Sequence, residues 1–233
     1  MLLNVTNLLS GYGNVRIVND VSFSAAPNEI VAIIGRNGVG KTTLMKSLVG
    51  LISCAGGKIE FKSTDVTRMS AAKRARLGIG YVPQGRGIFT RLSVGDNLRM
   101  GEKVGNSSSS KNFDRVFEFF PILKERQNQK AGSLSGGEQQ QLSIGRILVG
   151  SPELILLDEP SEGVQPNIVQ EIGRIIRRLR DDEGLTVVIV EQNLDLIYAV
   201  ADRCIVMDKG TIVAELTANE LREPDVARRY LAI

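Results

Sequence analysis

The sequence predicts an α/β fold built on a mostly parallel sheet, with an antiparallel β subdomain at its start and a helical subdomain inserted in its middle. Three observations carry that expectation. Compact apolar runs alternate with segments of helical period, as in sheets whose parallel strands are joined by helices. The run Glu29–Ile34 feeds straight into a glycine-rich loop and then a helix. Between Gln84 and Ser151 the pattern is helical rather than strand-like.

Taken in order, Val5–Leu9, Ile17–Phe23 and Lys58–Phe61 read as short antiparallel strands, and Lys41–Gly50 as the helix after the glycine loop. Ile79–Val82, Leu154–Leu157, Thr186–Val190 and Cys204–Met207 are apolar almost throughout, as strands buried on both faces should be. Ser93–Met100, Phe113–Phe120 and Gly136–Val149 form the helical block, assigned to residues 85–150 of a single domain spanning 1–233. Gly105–Ser110 is a low-complexity loop with no chemistry. Ile168, Ile172, Ile175, Ile176 and Leu179 recur at three- and four-residue intervals, and Pro166 suits the first turn of that helix. Thr217-Ala218-Asn219-Glu220 has the form of a capping box. No internal repeat is present, so one such module is expected.

A chain of 233 residues can bury a large core. Its 42% apolar and 24% charged residues exclude a disordered chain. No apolar run approaches the roughly 18 residues of a membrane span. Met1–Thr6 lacks the basic and then apolar pattern of a signal peptide. Cys54 and Cys204 form no C-x-x-C pair and are expected as reduced thiols in the cytosol. A net charge of +3 is too small to argue for nucleic acid. Arg174, Arg177, Arg178 and Arg180 run into Asp181-Asp182-Glu183, which predicts a solvated helix face.

The chemistry begins at Gly35-Arg36-Asn37-Gly38-Val39-Gly40-Lys41-Thr42, which fits G-x-x-x-x-G-K-[ST], with Thr43 after it also expected to bind the nucleotide. Such a loop surrounds phosphates with backbone N–H groups, and its glycines permit the close approach. The helix behind it favours an anion at its N-terminus. A glycine-rich turn with an exposed lysine is the bland alternative. Ile155-Leu156-Leu157-Asp158-Glu159 is an apolar strand ending in two carboxylates, which would otherwise only cap the next turn. Leu134-Ser135-Gly136-Gly137-Glu138-Gln139-Gln140 lies between them in sequence. Ser135 and Glu138 fit a capping box, whereas Gly136 and Gly137 are poor helix formers at a helix start.

Together these motifs resemble the ATP-binding subunit of an ABC transporter, a P-loop NTPase, from about Leu2 to Leu231. The resemblance implies ATP and Mg²⁺ as cofactors. It implies that Lys41 reaches the β- and γ-phosphates and that Thr42, Asp158 and Gln84 serve the metal. Glu159 is then the general base, with Gln84 and Gln192 beside the reacting groups, and Tyr12 in Ser10-Gly11-Tyr12-Gly13 stacks on adenine. Ser135, Gly136 and Gly137 would complete the ATP site of a second ATPase subunit, preferably a related but different chain. Transmembrane permease subunits and, indirectly, a solute-binding protein follow as partners, with the chain attached to the inner face of the cell membrane. Arg86–Leu92 is the surface expected to receive the permease.

Two departures mark this chain. It contains no histidine, so the family's switch histidine is replaced, by Gln192 in Val190-Glu191-Gln192-Asn193. Gln165 stands where an aspartate is usual after the Asp-Glu pair. With Tyr81-Val82-Pro83-Gln84-Gly85-Arg86-Gly87-Ile88-Phe89 and the ending Pro224–Leu231, these resemble ATPases of branched-chain amino acid and urea importers. Arg36–Val39 and Glu162–Gln165 lean toward the urea type. A soluble ABC ATPase acting on nucleic acid or the ribosome is the alternative. It would need a coiled-coil insertion or a second module, and the chain has neither. A P-loop nucleotide kinase leaves Leu134–Gln140 without a purpose.

Overall fold

Residues 1–104, 110–223 and 225–226 are described by a computed structural model. The expected loop Gly105–Ser110 lies outside them except for Ser110, and so does most of the ending Pro224–Leu231. Two sheets organise the chain. One has four antiparallel strands in the order Val15–Ala25, Leu3–Tyr12, Cys54–Phe61 and Thr64–Asp65. The other has six, in the order Thr211–Thr217, Arg203–Asp208, Ile30–Ile34, Thr186–Val190, Leu154–Asp158 and Ile79–Val82. All neighbours in it are parallel except the pair Thr211–Thr217 and Arg203–Asp208.

The strand period of two divides the core between the faces of this sheet. Ile30, Ala32 and Ile34, with Ile155, Leu157, Val187 and Ile189, pack under the helices Val94–Glu102, Gly136–Leu148 and Pro166–Asp181. Val31 and Ile33, with Leu154, Leu156, Val188 and Val190, pack against helix Lys41–Val49 and the antiparallel sheet. Each such side chain contributes about 1.5–3 kcal/mol when fully buried. Both faces being covered explains why these strands read as continuous apolar runs.

The sequence reading missed short elements. Helices Ala71–Arg76, Pro121–Glu125 and Leu194–Val200 are too brief for a clear 3.6-residue period. The expected helix Phe113–Phe120 is the C-terminal part of Ser110–Phe119, and Pro121 starts the separate, unforeseen helix Pro121–Glu125 after Phe120. Thr211–Thr217 is an edge strand with one half-solvated face, hence a weak apolar signal. The box at Thr217 closes both ways: Thr217 N donates to Glu220 Oε2 at 2.7 Å and Glu220 N to Thr217 Oγ1 at 3.2 Å. Arg174, Arg177 and Arg178 are exposed along Pro166–Asp181, opposite its buried Ile172, Ile175, Ile176 and Leu179.

Parallel strands end on one side of the sheet. Ile34 hands over to the glycine loop, Val82 to Gln84, Asp158 to Glu159, and Val190 to Glu191 and Gln192. Ligands in open α/β sheets sit beyond these carboxyl ends, where loops diverge and backbone donors are free.

Candidate functional site

The glycine loop is shaped by left-handed backbone that only glycine adopts freely: φ is 79° at Gly38 and 107° at Gly40, the N-cap of helix Lys41–Val49. Arg36, Asn37 and Gly38 are exposed, while Gly35, Val39 and Gly40 are buried. Lys41 is buried, and its Nζ donates to Gly35 O at 2.7 Å and Arg36 O at 2.9 Å. Burial lowers its pKa, and the fields of Glu159, Asp158 and Glu191 partly restore it. The ammonium thus lies inside the loop's ring of backbone groups, within reach of any anion the ring accepts.

Asp158 closes the opposite wall. Thr42 Oγ1 donates to its Oδ1 at 3.1 Å and the Tyr81 hydroxyl to its Oδ2 at 3.1 Å. Burial pushes the Asp158 carboxyl up, against the hydrogen bonds of Tyr81 and Thr42 that pull it down. Burial beside Asp158 likewise raises the Tyr81 phenol. Among the described residues no Lys or Arg forms an ion pair with Asp158. A buried carboxylate next to a hydroxyl, with no direct ion-pair partner among the described residues, is the donor set a hard dication accepts. The residues present therefore fit Mg²⁺.

Glu159 has φ 48°, a left-handed conformation unusual for a side-chain-bearing residue. Its N–H donates to Val190 O at 2.9 Å, which holds the turn. Its carboxylate is gripped from both sides: Gln192 Nε2 donates to Oε1 at 2.6 Å, and Gln84 Nε2 to Oε2 at 3.3 Å. Gln192 Nε2 also donates to Asn37 Oδ1 at 2.6 Å. Gln192 therefore links the glycine loop to the second carboxylate.

A cavity of about 340 Å³ is lined by Tyr12, Asn37, Gly38, Gly40, Lys41, Thr42, Thr43, Gln84 and Glu159 among others. Next to it, about 350 Å³ is lined by Thr42, Tyr81, Gln84 and Asp158 with neighbouring residues. Tyr12, 51% exposed at the end of its strand, offers an unburied ring at the mouth of the first.

Ser135, Gly136 and Gly137 line neither cavity. Ser135 caps helix Gly136–Leu148, with Glu138 N donating to its Oγ at 3.4 Å and Ser135 N to Glu138 Oε2 at 2.8 Å. The glycines also have local reasons: a Cβ on Gly137 would lie 3.0 Å from Ile168, and one on Gly136 3.1 Å from Arg86 Nη2. Sequence reasoning assigned no role to Tyr81 and Glu191. Arg86, expected on the permease-facing surface, turns inward, with Nη1 donating to Gln139 Oε1 at 3.1 Å and its carbonyl accepting from Ser143 Oγ at 2.5 Å.

Residues 18–162 match the family model described as ABC transporter. The chain is 42% identical, over 99% of both proteins, to the high-affinity branched-chain amino acid transport ATP-binding protein BraG of Pseudomonas aeruginosa. It is 39% identical to the lipopolysaccharide export system ATP-binding protein LptB of Escherichia coli, covering 98% of this chain and 96% of that one. A nucleotide-free ATP-binding cassette from an ABC transporter superposes with a TM-score of 0.86 at 28% identity, covering 100% of this chain and 98% of that one. With the glycine loop, the paired carboxylates and the capped helix in place, the chain belongs to the ABC transporter family, in which it is the ATP-hydrolysing subunit.

Proposed function

We propose that this chain binds MgATP in the cleft between Tyr12 and Asp158 and powers an importer for a small polar solute or amino acid. The observation that carries the reading is the convergence, at four neighbouring strand ends, of Lys41, Thr42, Asp158, Gln84, Glu159 and Gln192. In this reading Gly35–Gly40, Lys41 and Thr43 hold the phosphates, and Tyr12 stacks on adenine. Thr42, Asp158 and Gln84 hold Mg²⁺, which when bound neutralises charge building on the phosphate oxygens. Glu159 takes a proton from water as its oxygen attacks the γ-phosphorus in line and ADP departs. The Gln192 carboxamide donates an N–H to the γ-phosphate but, unlike imidazole, cannot become cationic. Nucleotide binding must first draw the Gln192 carboxamide from its contact with Asn37, freeing one N–H for the phosphate while the other stays on Glu159.

Ser135, Gly136 and Gly137 lie away from their own cleft, which supports their serving the cleft of a second ATPase subunit, a related rather than identical chain. Residues 85–150 carry that element as one helical unit. An apolar groove of about 430 Å³ between Leu51, Ala72, Phe89, Met100, Val104 and Ile147 supports the docking of a permease segment. Phe89 is 46% and Leu51 60% exposed there. The Nη1 atom of Arg146, whose guanidinium stands 5.2 Å from the Phe89 ring centre, has no hydrogen-bond partner among the described residues. A helix with an apolar stripe and one carboxylate would complete it. Among the described residues no helix is long and apolar enough to cross a membrane, so such docking would hold the chain at the inner membrane face.

Similarity to BraG supports branched-chain amino acids as solute, with urea next on the Arg36–Val39 and Glu162–Gln165 segments. Similarity to LptB supports a second reading, an exporter, separated from the first by which permease and solute-binding chains co-purify. The test of the ATPase assignment is Glu159→Gln. Turnover should fall roughly 10²–10⁴-fold, the usual share of a general base, while MgATP stays bound. Equal loss of binding and turnover would make Glu159 a ligand for the nucleotide rather than the base.

A further inference from the structure

Glu191 is 3% exposed and carries a carboxylate into the interior directly after the apolar strand Thr186–Val190. Among the described residues it has no ion pair, so its charge is met otherwise. Its Oε1 accepts from Gln192 N at 2.7 Å and from Asn193 N at 3.0 Å. Its Oε2 accepts from Ser161 N at 3.2 Å. Gln192 and Asn193 belong to the loop after one strand, and Ser161 to the loop after its parallel neighbour Leu154–Asp158, paired through Asp158 and Val190. One carboxylate thus staples two loops just beyond the carboxyl ends of two neighbouring strands.

That staple sits where the reacting groups meet. Gln192 reaches both Glu159 and Asn37, and Glu159 lies two residues before Ser161. A buried anion is costly unless hydrogen-bonded donors replace its lost water, and three backbone N–H groups supply that here. Burying a charge to order two short loops is unneeded for the core, which is already apolar on both sides of the strand.

We propose that Glu191 is a positioning residue whose two oxygens fix the Gln192 loop against the Ser161 loop, so that the Gln192 carboxamide meets Glu159 and the phosphate. The proposal rests on the reading of Glu159 and Gln192 as the groups beside the attacking water. Chemistry makes the carboxylate specific. Glutamine at 191 has the same shape but one acceptor oxygen, and its NH₂ would face a backbone N–H on one side. One of the two ties must then break.

The experiment compares the full chain with Glu191→Gln, Gln192→Ala and the double variant, measuring MgATP turnover, nucleotide Kd and thermal midpoint, with Glu159→Gln as reference. Glu191→Gln should lower kcat roughly tenfold or more, as expected when a charge-assisted hydrogen bond is lost, with nucleotide Kd little changed. If Glu191 acts through Gln192, the double variant is no slower than the slower single one. Unchanged kcat in Glu191→Gln, multiplying losses in the double variant, or a Kd that worsens in step with kcat would overturn the proposal. Glu159→Gln separates the two levels. Wild-type turnover there sinks the reading of the base. A dead Glu159→Gln beside multiplying losses sinks only the role of Glu191. Should Glu191→Gln not fold, amide exchange in the unaltered chain decides: protected N–H groups at Ser161, Gln192 and Asn193 support the staple, and open-loop rates overturn it.

Discussion

Two arginines, Arg74 buried and Arg146 half-buried, show how differently this molecule treats its polar groups. Arg74 is fully enclosed, yet every nitrogen finds a carbonyl: Nε meets Met69 O at 3.1 Å, Nη1 meets Ser47 O and Leu48 O at 2.7 Å, and Nη2 meets Thr67 O at 2.9 Å. Arg146, at the groove floor, is left with Phe89 and an unsatisfied Nη1. Burial without compensation lowers its pKa. The cleft between Tyr12 and Asp158 resembles the first case, since its donors and acceptors are cross-linked within the chain. The groove resembles the second, and in the docking proposed above a permease segment would cover it. A small ligand enters a site organised in advance, whereas an apolar patch with an unpaired cation is organised by whatever covers it.

If that contrast is right, the regions should fail independently. The largest effect is expected from Phe89→Asp, which places a charge on the groove wall. Phe89 is held by Asn97, whose Oδ1 accepts from Phe89 N at 2.8 Å and whose Nδ2 donates to Phe89 O at 3.0 Å. Losing an aromatic anchor should weaken assembly with the membrane subunits roughly 100-fold or more, read by co-purification or titration. MgATP affinity of the free chain should stay as in the wild type, and a parallel fall in both would join the regions the comparison separates.

Gln192→Ala attacks the cleft instead. Turnover should drop roughly tenfold, the loss of one hydrogen bond to a charged group, with membrane assembly untouched. Because the chain has no histidine, no imidazole inflection is expected between about pH 5 and 8 in the wild type. Gln192→His should retain activity and introduce one. A pH–rate series at saturating MgATP tests both, and full turnover in Gln192→Ala would reduce Gln192 to a loop residue.

The smallest effect sharpens the claim that the cleft is organised at a cost. Burial raises the Asp158 carboxyl above its ordinary value, so the folded chain holds that proton more tightly than the unfolded one. The stability this gives is complete below the ordinary carboxylate pKa and is lost as pH rises through the raised value. At neutral pH without MgATP, Asp158→Asn should therefore raise the thermal midpoint slightly, and the gain should shrink on acidification into the carboxylate range. Added MgATP should stabilise the wild type and not the variant. A lower midpoint at neutral pH would mean that the hydrogen bonds from Thr42 and Tyr81 outweigh the buried charge.

Legibility followed locality. Gly35–Thr43 and Leu154–Glu159 could be read because each motif is a single run whose neighbours in sequence are also its neighbours in space. Tyr81 and Glu191 stood inside quoted motifs, but their partners, Asp158 and the Ser161 amide, lie 77 and 30 positions away. A carboxylate straight after five buried strand residues was the one available signal for Glu191. Arg86 carried none, since whether it faced a permease or Gln139 depended on how helix Gly136–Leu148 packs. Edge strand Thr211–Thr217 and helix Leu194–Val200 escaped because a half-solvated strand and a seven-residue helix show little period.

By itself the sequence determined the α/β class, the glycine loop and its helix, the strand ending in two carboxylates, the capped helix at Ser135 and the absence of any imidazole. Each follows from backbone preference or apolar period within a short stretch. Only the tertiary structure decided that Gln192 bridges Asn37 and Glu159, that Glu191 staples two loops, that Ser135 lines neither cavity of its own cleft, and that the Arg146 Nη1 beside Phe89 has no partner among the described residues. Those facts concern which strand ends become neighbours and which side chains lose their water, and both are set by packing across the whole chain.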